Sequence, residues 1–179
     1  MNKEEKIEYL REAVRKVYPD RKLVFQDGSP DARIMVIGEA PGKDEETQGI
    51  PFIGRAGKLF TTTIEALGWK RSDFFISNIV KYRPQDELGS TLTPTDAEIG
   101  TFRPIIEKEI EVVEPHGIVV LGRVAMTGLG IAGTMAQNHG KILDFKNRKV
   151  LIVYHPAAIL RNMTLEPLFR ADLARMREL

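Results

Sequence analysis

Apolar residues recur at helical spacing from Lys3 to Val17, with Ile7, Leu10, Val14 and Val17 on one face, and predict an amphipathic helix. Short, unbroken apolar runs predict four buried strands, at Ala32 to Ile37, Phe74 to Val80, Gly117 to Leu121 and Lys149 to Tyr154. Helical patterns lie between them. Ala56 to Leu67 is one, stopped by Gly68. A second opens at Thr93-Pro94-Thr95-Asp96, with Thr93 as N-cap and Pro94 in the first turn. It turns Ile99, Phe102, Ile106, Ile110 and Val113 inward, and Pro104 is expected to kink or restart it. Short helices follow Gly122, and a last helix runs from Glu166 to Glu178.

Continuous apolar strands alternating with helices predict an α/β fold: a three-layer α/β/α arrangement with a central four-stranded parallel sheet. No repeat, low-complexity stretch or long linker divides the chain, so residues 1–179 read as a single domain. Ligands of such sheets bind outside the carboxyl ends of the strands. Gly38-Glu39-Ala40-Pro41-Gly42, Asn78, Leu121-Gly122 and His155-Pro156 follow those ends. An acid, an amide and an imidazole therefore converge on one rim.

Composition narrows the chemistry. The net charge of +1 does not announce a polyanionic partner, although 26 Lys and Arg can form a local basic patch. With no cysteine, the chain has no disulfide, no Cys-ligated metal and no thiol nucleophile, and three scattered histidines argue against a zinc site. No apolar run approaches the ~20 residues that span a bilayer. The charged, helical start is unlike a signal peptide, so a cytoplasmic protein without membrane contact is expected.

Gly38 to Gly42 is a turn whose glycines admit a close backbone approach. The acids after it, Asp44, Glu45 and Glu46, do not suit a dinucleotide pyrophosphate. Phe52, between Pro51 and Gly54, reads either as a loop hydrophobe tucked under the fold or as a stacking platform for a planar ligand. Asn78, inside an apolar strand, is either a core amide bonded to loop backbone or a reader of a base edge. His155 is either a structural histidine or a donor in the rim site.

Together these segments resemble the uracil-DNA glycosylase superfamily, and within it the thermostable iron–sulfur type. Gly38 to Gly42, Glu45 and Gly49-Ile50-Pro51-Phe52-Ile53-Gly54-Arg55-Ala56-Gly57 match its first motif. Ser77-Asn78-Ile79-Val80-Lys81-Tyr82-Arg83-Pro84 matches its Asn-bearing strand, and His155-Pro156-Ala157-Ala158-Ile159-Leu160-Arg161 its second motif. The resemblance spans Asp27 to Arg161. It departs at the cluster: Tyr82 and Phe102 stand where two cysteine ligands belong, and the other two fall near Val14 to Tyr18. No iron–sulfur cluster, metal or other cofactor is therefore expected.

The resemblance implies an enzyme that flips uracil out of DNA and hydrolyses its N-glycosidic bond. His155 would donate to uracil O2, Phe52 would stack on the ring and Asn78 would pair with O4 and N3–H. Gly38, Ala40 and Gly42 would shape the base pocket. Well-known relatives carry Asp where Ala40 stands and Tyr where Gly42 stands. Glu39 and Glu45 are left to order water or balance the sugar cation. Arg55, Lys58, Lys81, Arg83 and Arg161 are candidate phosphate contacts, and Ile159 or Leu160 the candidate wedge. The expected partner is uracil-containing DNA, single- or double-stranded, met by a monomer. The alternatives are a glycosylase for another deaminated base such as hypoxanthine, a non-catalytic DNA- or protein-binding module, and a small-molecule nucleotide enzyme, which lacks a phosphate loop.

Overall fold

The computed structural model describes residues 1–179. Its strands are β1 (Ile34–Gly38), β2 (Phe74–Asn78), β3 (Gly117–Leu121), β4 (Ile142–Phe145) and β5 (Arg148–Val153), and they form one sheet in the order β2-β1-β3-β5-β4. All pairings are parallel except the β4–β5 hairpin. The four expected strands are present within a few residues, and β1, β2 and β3 are buried along their whole length. The fifth, β4, corrects the expected four-stranded sheet. Its residues are mostly half-exposed, so Lys141 to Phe145 carry no continuous apolar run. The hairpin turns at Lys146 and Asn147, both at positive φ, the pairing of dihedrals that matches strand twist in a two-residue loop.

Helices cover both faces. On one lie α1 (Lys3–Val17), α4 (Asp96–Val113) and α5 (Gly122–Gly128), packed on Met35, Ile37, Phe75, Ile118 and Val120. On the other lie α3 (Arg55–Ala66), α7 (Pro156–Arg161) and α8 (Glu166–Ala174), packed on Ile34, Val36, Phe74, Ile76 and Val119. Successive strand residues thus feed opposite cores, as a two-residue side-chain period requires. Two short helices, α2 (Lys43–Gln48) and α6 (Met135–Asn138), lie in the connections. No helix is long and apolar enough to cross a membrane.

Local chemistry sets the helix ends. Asn2 and Glu5 form a reciprocal capping box at the start of α1. Ile7 and Val14 are buried as expected, but Val17 is 67% exposed. The N-cap of α4 is Thr95, not Thr93, because Glu98 completes a box with Thr95. All five expected inward residues of α4 are buried, and the helix runs unbroken through Pro104. The last helix is α only to Ala174 and ends in a 3-10 turn, Arg175–Glu178.

Where the resemblance places a cluster, the structure holds aromatic rings. Tyr18 stacks on Phe102 at 5.2 Å, Tyr82 meets Phe102 edge-on at 5.5 Å, and Tyr18 lies 5.6 Å from Tyr82. The Tyr82 hydroxyl donates to Glu98 at 2.8 Å, and the Arg21 guanidinium lies over its ring. An iron–sulfur cluster is held by thiolates. These rings supply none, so the residues present do not fit that group.

Candidate active site

The carboxyl ends of β1, β2 and β5 open onto a cavity of about 320 Å³ lined by Glu39, Gly42, Phe52, Asn78 and His155, among others. The site lies beside the point where strand order reverses, with β1 flanked by β2 on one side and β3 on the other.

Gly38 pairs with Asn78 across β1 and β2. A Cβ at Gly38 would lie 2.2 Å from the Phe52 ring and 2.6 Å from Asn78 Oδ1. Only a glycine there lets the ring and the amide close on the same space. Asn78 is buried, its side chain makes no hydrogen bond within the protein, and Oδ1 is a buried acceptor without a partner. Such an orphan costs about 1–3 kcal/mol unless a ligand answers it.

Phe52 sits at φ 55°, left-handed backbone that a bulky residue rarely adopts. Three contacts hold it. Arg71 donates to the carbonyls of Pro51 at 2.6 Å and Phe52 at 3.0 Å, and is itself braced by Asp27 at 2.9 Å. The Glu45 carboxylate accepts from Gly42 N at 3.1 Å, Ile53 N at 3.1 Å and Gly54 N at 2.8 Å. Gly57, in the first turn of α3, has no Cβ to strike the Phe52 carbonyl. The phenyl ring is thereby set 6.0 Å from the His155 imidazole, the two planes 34° apart.

His155 caps α7: its Nδ1 accepts from Ala157 N at 3.1 Å. Burial and the nearby Arg161 charge lower its pKa to about 4. The ring is therefore neutral at pH 7. Because Nδ1 is an acceptor, the proton sits on Nε2. Gly122, at φ 90°, leaves room for this ring. Glu39 is half-buried, and burial raises its carboxyl above the usual range against the pull of Arg123 and Arg161.

The sequence-derived set is therefore mostly assembled. Glu39, Ala40, Gly42, Glu45, Phe52, Arg55, Asn78 and His155 line the cavity, with Gly38 directly behind it. Four assignments are corrected. Lys81 is fully buried against Glu109 and cannot meet a phosphate. Arg83 is buried, with its guanidinium on Glu46, Gln85, Thr91 and the Gly89 carbonyl. Ile159 has no exposed surface to insert into DNA. Glu45 spends both oxygens on backbone N–H groups, so it builds the loop rather than ordering water. Lys58 is exposed but lies outside the cavity, Arg161 is exposed, and Leu160 is half-buried. Sequence reasoning misses Arg71 and Arg123, and it places Gly122 on the rim without giving it a role. Arg71 and Arg123 look like ordinary surface charges along the chain, and a positive φ is invisible without the backbone.

Residues 25–177 match the model of the uracil DNA glycosylase superfamily. A type-4 uracil-DNA glycosylase of Sulfurisphaera tokodaii is 36% identical over 86% of this chain and 72% of that protein. Another from Archaeoglobus fulgidus is 34% identical over 85% and 79%, and one from Thermotoga maritima 34% over 92% and 88%. A family model covering residues 25–177 and relatives above 30% identity over most of both chains place the fold described above: the chain belongs to the uracil DNA glycosylase superfamily.

Proposed function

We propose that this protein is a uracil-DNA glycosylase that binds a flipped uracil in the 320 Å³ cavity and hydrolyses its N-glycosidic bond, leaving an abasic site. The observation that carries the reading is the unpartnered, buried Asn78 Oδ1. Uracil N3–H satisfies that acceptor, and the Asn78 amide N–H faces uracil O4. Cytosine offers an acceptor at N3 and an amine at C4, so it leaves the same orphan and adds a clash of donors.

Bond cleavage leaves negative charge on the uracil ring, largely at O2, and a cationic sugar. A neutral imidazole whose Nδ1 is occupied by Ala157 N presents Nε2–H to that oxygen. One donor aimed where charge develops is worth about 3–4 kcal/mol, roughly a hundred- to a thousandfold in rate. Phe52 supports the ring by stacking. Glu39 stands at the rim, where an ionised carboxylate orders the attacking water and balances the sugar cation. Exposed Arg55, Arg123 and Arg161 hold the flanking phosphates. No step passes through a metal or cluster. Every group named comes from one chain, and the protein is proposed to act as a monomer on single- or double-stranded DNA.

The test is release of base from an end-labelled oligonucleotide with one uracil, followed by alkaline cleavage of the abasic site. Uracil release with cytosine untouched is expected. Hypoxanthine shows the same N–H beside C=O edge, and Gly42 puts no side chain into the cavity. Preferential release of hypoxanthine would move the assignment to that base. No release of any deaminated base would refute the enzyme reading.

A further inference from the structure

Behind the cavity lies a polar network that the chemistry above does not use. Lys81 Nζ donates to Glu109 at 2.7 Å, Ser77 Oγ at 2.7 Å and the backbone carbonyl of Asn78 at 2.8 Å. All three ammonium protons are engaged. Ser77 Oγ donates onward to Glu109 Oε2 at 2.6 Å. Glu109 Oε1 accepts from Gln26 at 3.0 Å, and Gln26 is held by Arg11 of α1 at 3.0 Å. Lys81 and Glu109 side chains are each 1% exposed.

A fully buried ion pair is a poor source of stability, since desolvation consumes most of the attraction. Its value lies in geometry. The Asn78 side chain has no hydrogen bond of its own within the protein, so its direction follows from its backbone. That backbone is the last residue of β2, where the chain leaves the sheet. From there, Ile79 N reaches the Gly38 carbonyl and Val80 N the Glu39 carbonyl. The carbonyl of Asn78 is secured by Lys81, and Lys81 is secured by Ser77 of β2 and Glu109 of α4.

We infer that Lys81, locked by Glu109 and Ser77, is a positioning residue that fixes the strand end carrying Asn78 and so aims the amide at the base edge. The inference rests on the glycosylase reading and adds a residue that touches no substrate. It also accounts for a lysine in the interior of an α/β core where an apolar residue would pack without cost.

The experiment replaces the pair together, Lys81→Met with Glu109→Met, so that neither charge is left alone in the core. Single-turnover uracil release is expected to fall at least tenfold. Affinity for an oligonucleotide with a preformed abasic site, which has no base edge to read, is expected to stay within twofold. In an Asn78→Ala background the same pair should cost less than twofold, because the amide it aims is gone. A loss under threefold in the parent, an undiminished loss in Asn78→Ala, or a parallel loss of abasic-site affinity would each overturn the inference. Should the double variant not fold, Ser77→Ala removes one lysine partner without stranding a charge. A loss of at least threefold that vanishes in Asn78→Ala is then expected, and any other result overturns the inference. A wild type that releases no base fails at the earlier step and refutes the reading on which this one stands.

Discussion

Gly122 and His155 stand so close that a Cβ on Gly122 would lie 2.7 Å from the His155 Cβ. Gly122 also holds φ 90°, which side chains with a Cβ rarely adopt. The imidazole therefore owes its place to the end of β3 as much as to its own strand. Gly122→Ala should cost about 1–3 kcal/mol of stability through backbone strain. It should also lower uracil release tenfold or more by displacing the ring. His155→Ala should lose roughly a hundred- to a thousandfold in single-turnover rate, with binding of abasic DNA retained. A Gly122→Ala protein as active as wild type would show that this contact does not position the histidine.

The base-reading role of Asn78 predicts a change of selectivity. Asn78→Asp keeps an acceptor but has no N–H for uracil O4, and its carboxylate accepts from the exocyclic amine of cytosine. Uracil release should fall at least tenfold, with slow release of cytosine appearing in the same oligonucleotide. Unchanged uracil release would remove Asn78 from recognition.

Two titrating groups predict the acid side of the pH profile. Glu39 is held above its ordinary value of 4.5 by burial, and His155 is held down to about 4. As pH falls, Glu39 protonates first, and activity should fall with a midpoint above 4.5. In Glu39→Gln the residual activity should stay level until about pH 4, where protonation of Nδ1 breaks the bond to Ala157 N. On stability the two groups act with opposite signs. The depressed His155 favours folding above its free value of 6.5, and that share is lost between 6.5 and about 4. The raised Glu39 opposes folding once it must ionise. An identical profile in wild type and Glu39→Gln would exclude Glu39 from the limb.

The Tyr18–Phe102–Tyr82 cluster predicts a colourless protein that folds without iron. Phe102 is 1% exposed and touches both tyrosines. Phe102→Ala should cost about 3–5 kcal/mol, read as a fall in Tm, with normal uracil release in the fraction that stays folded. Stoichiometric iron in anaerobically purified protein would refute the cofactor claim. A Phe102→Ala protein as stable as wild type would refute the packing claim separately.

Much of the architecture is local and therefore readable along the chain. The strands β1, β2 and β3 are buried on both faces, so they appear as unbroken apolar runs at the right positions. The α1 helix and the buried face of α4 follow from spacing, and Gly68 past the end of α3 sits at φ 90° as a stop signal should. The edge strand β4 escaped because it is only four residues long, is interrupted by exposed Asp144, and has its register set by β5 and a two-residue turn.

The sequence by itself determined the four parallel strands and the main helices between them, the convergence of Glu39, Asn78 and His155 on one rim, and the impossibility of cysteine ligation. Each depends on residue identity and on periodicity, which need no partner. Tertiary structure alone decided which charges reach solvent. Lys81 and Arg83 follow Asn78 in a stretch that reads as basic, yet both side chains turn into the fold, where Glu109 and Glu46 await them. It likewise turned Ile159 of α7 into the core and Glu45 from a candidate in the chemistry into the anchor of the Phe52 loop. The physical reason is the same in each case. Whether a charged or apolar side chain meets water, DNA or a buried partner depends on groups far away in sequence, and only the packed chain brings those groups within a hydrogen bond's length.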